Sequence, residues 1–138
     1  MASIKVVISG ATGKMGVETV AAVNREDGLT LAGGACARDR GVALATPEGE
    51  VPLSTDLESL LEQTRPDVLV DFTNASVAMD AAAKAAARKI NIVMGASGFS
   101  EDQLRQLDAM ANDNNVGIIV APNFALGAIV LKKLAEQA

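Results

Sequence analysis

The sequence predicts an α/β fold of the doubly wound kind, a single domain built on a parallel sheet of five or more strands. Three observations carry that reading. Short apolar runs such as Val6-Val7-Ile8, DVLVDF at 67–72 and VGIIVA at 116–121 suit strands covered on both faces. These runs alternate with stretches of helical period, and strands alternating with helices call for crossover connections and a parallel sheet. The first strand also opens directly into Gly10, Gly13 and Gly16, spaced G-x-x-G-x-x-G, with a helical pattern beginning inside them.

Glycine has three uses at such a strand-to-helix turn: a tight bend, close backbone approach to a pyrophosphate, and close packing of helix on strand. The unpaired N–H groups and positive dipole end of the helix then meet an anion. The spacing differs from G-x-G-x-x-G because Ala11 follows Gly10. From spacing alone the alternative stays open that the glycines serve packing only. A P-loop is excluded, since Met15 follows Lys14 where Ser or Thr would hold magnesium, and Ile8 stands where its first glycine would be.

Composition narrows the function classes. The 138 residues suit one domain, and an aromatic content of 2% against 49% hydrophobic residues demands an aliphatic core. A net charge of −5 with scattered basic residues provides no footprint for nucleic acid or an anionic membrane. No run of about 18 apolar residues and no basic-then-apolar leader is seen, and the one cysteine, Cys36, has neither a disulfide partner nor a metal-site companion. It reads as a small buried residue at a strand end, and the expected location is the cytoplasm. The lack of histidine removes the commonest general acid/base and His-based metal sites, so no metal and no catalytic residue is expected here.

In chain order, the first helix carries Met15, Val17, Val20, Ala21 and Val23 and fades between Asn24 and Gly28. Leu29–Cys36 is a second strand in which Gly33 and Gly34 permit close contacts. The Gly- and Pro-punctuated segment 37–54 is expected to be an irregular loop with a short extended piece near Val51. Thr55 with Glu58 has capping-box spacing and opens a helix that ends before Pro66. After the strand 67–72 comes an alanine-rich helix over 76–88 with Val77, Ala81 and Ala85 inward, then a strand over 90–94. Ser100 with Gln103 is a second capping box, and its helix runs to about Asn112 with Leu104 and Leu107 inward. Strand 116–121 follows, and Leu126, Ile129, Val130 and Leu134 mark a last helix.

In a doubly wound sheet, ligands bind beyond the carboxyl ends of the strands, where strand order reverses. That rim comprises 10–16, 37–41, 72–76, 95–99 and 121–127, and it holds all three phenylalanines, Phe72, Phe99 and Phe124. Any one of them can plug the core top; three together favour a site with apolar walls. At the end of the second strand an acidic residue would clasp a ribose 2′-hydroxyl, but Ala37 and Arg38 stand there instead, a pattern suited to a 2′-phosphate. NADPH is therefore expected in preference to NADH, with Arg40 able to assist and Asp39 to oppose.

With these segments placed, the chain resembles the dihydrodipicolinate reductases (4-hydroxy-tetrahydrodipicolinate reductases) of lysine biosynthesis. The resemblance rests on GATGKMG at 10–16, DFT at 71–73, GASG at 95–98 and APNFALG at 121–127, in that order. It implies a Rossmann-like cofactor domain over 1–122, with Gly13, Lys14, Met15, Arg38, Phe72, Thr73, Gly95, Ser97, Ala121, Pro122, Asn123 and Phe124 joining Gly10 and Gly16 around the dinucleotide. Two small departures occur: GTTG reads GASG, so Ala96 loses a hydroxyl, and APNFS reads APNFA, so Ala125 loses another.

The resemblance also implies that 123–138 is a hinge helix leading to a substrate and tetramerisation domain with a His-His-x-x-Lys motif, which these residues do not include. The expected function is thus the NAD(P)H-binding domain of a reductase that transfers hydride to the ring of hydroxytetrahydrodipicolinate, the chain alone being inactive. A second reading is a stand-alone NADP(H)-binding sensor or interaction module, forming homo-oligomers through the apolar stripe of the last helix. A short-chain dehydrogenase is disfavoured because the chain has no Tyr to donate a proton.

Overall fold

The computed structural model describes residues 3–38 and 43–121, together with 134 and 137. Its elements run β1 (Ile4–Ser9), α1 (Lys14–Arg25), β2 (Leu29–Ala35), β3 (Leu44–Thr46), β4 (Gly49–Val51), β5 (Leu53–Ser54), α2 (Leu57–Thr64), β6 (Val68–Asp71), α3 (Ala75–Ala87), β7 (Asn91–Met94), α4 (Glu101–Asn114) and β8 (Ile118–Val120). Six strands form one sheet in the order β5-β2-β1-β6-β7-β8, and all five pairings are parallel. From β1 the chain winds one way to β2 and β5, then returns to wind the other way through β6, β7 and β8. The order reverses between β1 and β6, which fixes the place where the loops diverge and leave a crevice.

Alternation along β1 shows the two layers. Val6 and Ile8 join Val23 of α1 and the partly buried Leu44 and Val51 on one face. Val7 joins Leu69, Ile92 and Met94 on the other, under α2, α3 and α4. The core is aliphatic, as the composition requires. Five buried alanines of α3, Ala78, Ala81, Ala82, Ala85 and Ala86, let that helix lie close on the sheet. Leu69 is fully buried among them, so Leu69→Ala should cost about 2–5 kcal/mol.

Several local expectations need correction. The segment 37–54 is not an irregular loop in its described part: β3 and β4 pair as an antiparallel hairpin, and β5 adds an edge strand beside β2. The cap of α2 is Asp56, whose Oδ1 accepts the Ser59 N–H at 3.1 Å, one residue beyond the Thr55 expected. Val77 and Leu104 point outward, at 45% and 44% exposed, because the alanines of α3 and Leu107 of α4 already face the sheet. Met15 and Val17 are exposed as well, so the inward stripe of α1 is Gly16, Val20 and Val23. The Ser100–Gln103 capping box on α4 is present with both of its hydrogen bonds. The last helix lies outside the described residues, apart from Leu134 and Gln137, which are helical and exposed.

Candidate functional site

The turn after β1 is built from the backbone. Gly10 takes φ +79°, and its N–H and that of Ala11 both donate to the Ala35 carbonyl, at 2.9 and 3.0 Å, which ties the turn to the end of β2. The Gly13 N–H donates to the Gly10 carbonyl at 3.1 Å. Gly16 is buried beneath this arch, where a Cβ would stand 1.9 Å from the Gly10 oxygen. Only the bare glycine lets the helix start under the turn.

Gly13 is the N-cap of α1 and has no side chain to cap with. The other three described helices each have a side-chain cap, from Asp56, Asn74 and Ser100. The first turn of α1 also lacks an acidic residue and contains the exposed Lys14. Uncapped amides, a helix dipole and no competing carboxylate make this end of α1 attractive to an anion.

Next to it lies the loop after β6. The Gly10 position abuts this loop, since a Cβ there would meet the Phe72 carbonyl oxygen at 3.0 Å and Thr73 Cγ2 at 3.2 Å. Asp71 ends β6 and is 0% exposed. Its Oδ1 accepts the Thr73 N–H at 2.9 Å and the Thr73 hydroxyl at 2.7 Å, while its Oδ2 is buried with no hydrogen-bond partner among the described residues. The Phe72 ring covers Gly95, where a Cβ would fall 2.2 Å from Cε1, so the glycine leaves room for the ring. The Gly95 N–H donates to the Asp71 carbonyl at 2.8 Å and holds the β7 loop in line.

A cavity of about 650 Å³ opens between the glycine turn, the end of β2, the start of α2 and one flank of α3. It gathers Gly10, Gly13, Phe72 and Thr73 of the residues expected from sequence. Lys14, Met15, Arg38 and Ser97 are exposed on the rim, and none of the four lines the cavity. Ala121 follows β8 and donates its N–H to the Met94 carbonyl at 2.8 Å. Pro122, Asn123 and Phe124, with Asp39, Arg40 and Gly41, lie outside the described residues. Ala96 is 3% exposed and packs in the core, so its lost hydroxyl is replaced by a buried methyl. Phe99 also packs on the core, and among the described residues Phe72 is the aromatic wall of the cavity. Cys36 is half-buried at the cavity edge, its thiol donating to the Arg38 carbonyl at 3.0 Å.

Thr12 and Asn74, inside the expected rim segments but not singled out, also line this cavity, and the sequence reading missed Ser9 and the Asp80–Lys84 pair, which line it as well. The pair was visible as the only two charges of α3, four residues apart. It closes at 2.8 Å, and the hydrogen bond with Asp80 holds the Lys84 pKa above its ordinary value. A second cavity, about 620 Å³, sits by the start of β2 and the hairpin, but Glu26, Asp27, Glu48 and Glu50 surround it and would repel an anion. No cluster of metal-ligating side chains occurs among the described residues. Among them, too, no helix is long and apolar enough to cross a membrane.

Comparison with known proteins decides the family. Residues 4–124 match the family model described as dihydrodipicolinate reductase, N-terminus. The chain belongs to this reductase family. A relative from Dehalococcoides mccartyi, called 4-hydroxy-tetrahydrodipicolinate reductase, is 47% identical over 140 residues, covering 100% of this chain and 53% of its own length. The solved structure of a dipicolinate-bound dihydrodipicolinate reductase from Paenisporosarcina sp. TG-14 superposes with a TM-score of 0.83 at 34% identity, over 99% of this chain and 53% of that one. A scyllo-inositol dehydrogenase from Lactobacillus casei shares the fold alone, with a TM-score of 0.78 at 13% identity over 99% of this chain and 42% of that one. The chain spans about half the length of the reductases it matches.

Proposed function

We propose that this chain is the dinucleotide-binding part, over 1–122, of a cytoplasmic, NADPH-preferring 4-hydroxy-tetrahydrodipicolinate reductase of diaminopimelate and lysine biosynthesis. Residues 123–138 are then the hinge helix toward a substrate-binding domain. The observation that carries the reading is the uncapped N-terminus of α1, aimed at the cavity by the strand-order reversal in a chain of this family.

In this reading the N–H groups of the Gly10–Gly16 turn that it does not use itself, those at the start of α1, hold the pyrophosphate, and Arg38 at the end of β2 faces the 2′-phosphate. Phe72, Thr73, Gly95, Ser97 and the Ala121–Phe124 segment flank the nicotinamide half. The nicotinamide, when bound, supplies the hydride. The chain contributes position and electrostatics, and in this reading donors in the substrate-binding domain supply the proton.

Calorimetric titration tests the reading. NADPH should bind more tightly than NADH, and Arg38→Ala should weaken NADPH about tenfold while leaving NADH within about twofold, as befits one exposed charge-assisted contact. Tighter NADH binding, or no loss on Arg38→Ala, would overturn the preference. The 138 residues on their own should bind dinucleotide without turning over substrate, and measurable turnover would refute that assignment of roles.

A further inference from the structure

Thr73 lines the cavity, yet both of its donors are already in use. Its N–H and its hydroxyl converge on the same Asp71 oxygen, at 2.9 and 2.7 Å. The hydroxyl also comes within 3.4 Å of the Asn74 carbonyl, another acceptor. A hydroxyl has one proton, and a carboxylate at 2.7 Å takes it in preference to a neutral carbonyl at 3.4 Å. What remains for a ligand is a pair of lone pairs.

We propose that Asp71 is a positioning residue that commits the Thr73 proton to the protein, so that Thr73 meets the dinucleotide only as a hydrogen-bond acceptor. A phosphate oxygen opposite it would be repelled, and phosphates are directed instead to the bare amides of α1. A donor opposite it is bound: a hydroxyl of the nicotinamide ribose or the nicotinamide carboxamide. Burial of the whole carboxylate, with Oδ2 left without a partner among the described residues, is costly and marks a residue kept for more than turn geometry. With two equivalent acceptor oxygens, a carboxylate cannot be turned round to present a donor to Thr73, as a side-chain amide can.

The inference rests on the cofactor reading above, and one experiment separates the two. Binding of NADPH is compared calorimetrically with that of analogues lacking a single donor at the nicotinamide end, the 3-acetylpyridine and nicotinamide-ribose-deoxy forms. In the wild-type chain one of these should bind about tenfold more weakly, the worth of one hydrogen bond. Thr73→Val should shrink that same penalty to about twofold, while Thr73→Ser, which keeps the hydroxyl that donates to Asp71, retains it. Asp71→Ala frees the proton, which can then turn to the carbonyl left in the 3-acetylpyridine form, so the penalty for that form should shrink; if the variant fails to fold, the Thr73 variants decide. A Thr73→Val chain that discriminates as the wild type does, or a wild type indifferent to every analogue, overturns the proposal while leaving the cofactor reading in place. Failure of the wild type to bind NADPH at all overturns both.

Discussion

Single methyl groups distinguish the glycines of the turn. At Gly16 a Cβ would overlap the Gly10 oxygen at 1.9 Å and press on Ala11 at 2.8 Å, all backbone atoms that cannot swing aside. Gly16→Ala should therefore lose about 1–3 kcal/mol or more in urea unfolding, and dinucleotide binding with it. At Gly13 the nearest atom is 3.4 Å away and φ is −75°, so alanine fits without strain. Gly13→Ala should stay within about 0.5 kcal/mol of the wild type yet weaken dinucleotide binding, because the methyl stands beside the uncapped amides proposed to hold phosphate. Equal stability losses for the two variants would contradict this division of labour between packing and binding. The glycine spacing showed that something must come close at each position, but whether that was ligand or backbone depended on where the helix began under the arch.

At the scale of elements, caps distribute the polar groups. Asn74 accepts the Val77 N–H at 3.0 Å and Ser100 the Gln103 N–H at 3.1 Å, so Asn74→Ala, Ser100→Ala and Asp56→Ala should each cost about 1 kcal/mol by chemical denaturation. Thr55→Ala should cost under about 0.5 kcal/mol, since Asp56 takes the cap. The box at Ser100 was legible because a side chain on both sides closed it; the one at 55–58 was not, because two residues in a row could cap and sequence does not rank them. Apolar period misled for a related reason. Val77 and Leu104 match a helical stripe, but the alanines of α3 bring it so near the sheet that no larger inward side chain is needed. The hairpin of β3 and β4 stayed hidden because three-residue strands around Pro47 and Gly49 show turn signals and almost no alternation. Asp71 ended an apolar strand in plain view, but nothing in its neighbours revealed that the strand end is fully buried.

For the whole molecule, the reversal of strand order puts the cavity between two halves of one sheet that meet at the β1–β6 pairing. The cavity is lined from both halves, by the β1 turn and the β2 end on one side and by the β6 loop and α3 on the other. A dinucleotide seated there bridges them. Binding to the native state alone lowers the population of locally opened forms by the factor 1 + [L]/Kd, about a hundredfold at a ligand concentration of 100 Kd. Amide hydrogen exchange with NADPH should accordingly slow on both sides together, over 9–17 and 35–38 and over 71–78 and 94–98. The acidic end of the sheet sets the control. Residues 26–28 and 47–50 surround a cavity of similar volume, but four carboxylates there oppose a polyphosphate, so their exchange should change only as far as global stability does. Protection limited to the first half of the sheet would mean that only the adenosine end is held, and protection centred on the acidic end would place the ligand in the wrong cavity altogether. Both results would reject a dinucleotide laid across the reversal, since that geometry requires both halves to be slowed by the same occupancy.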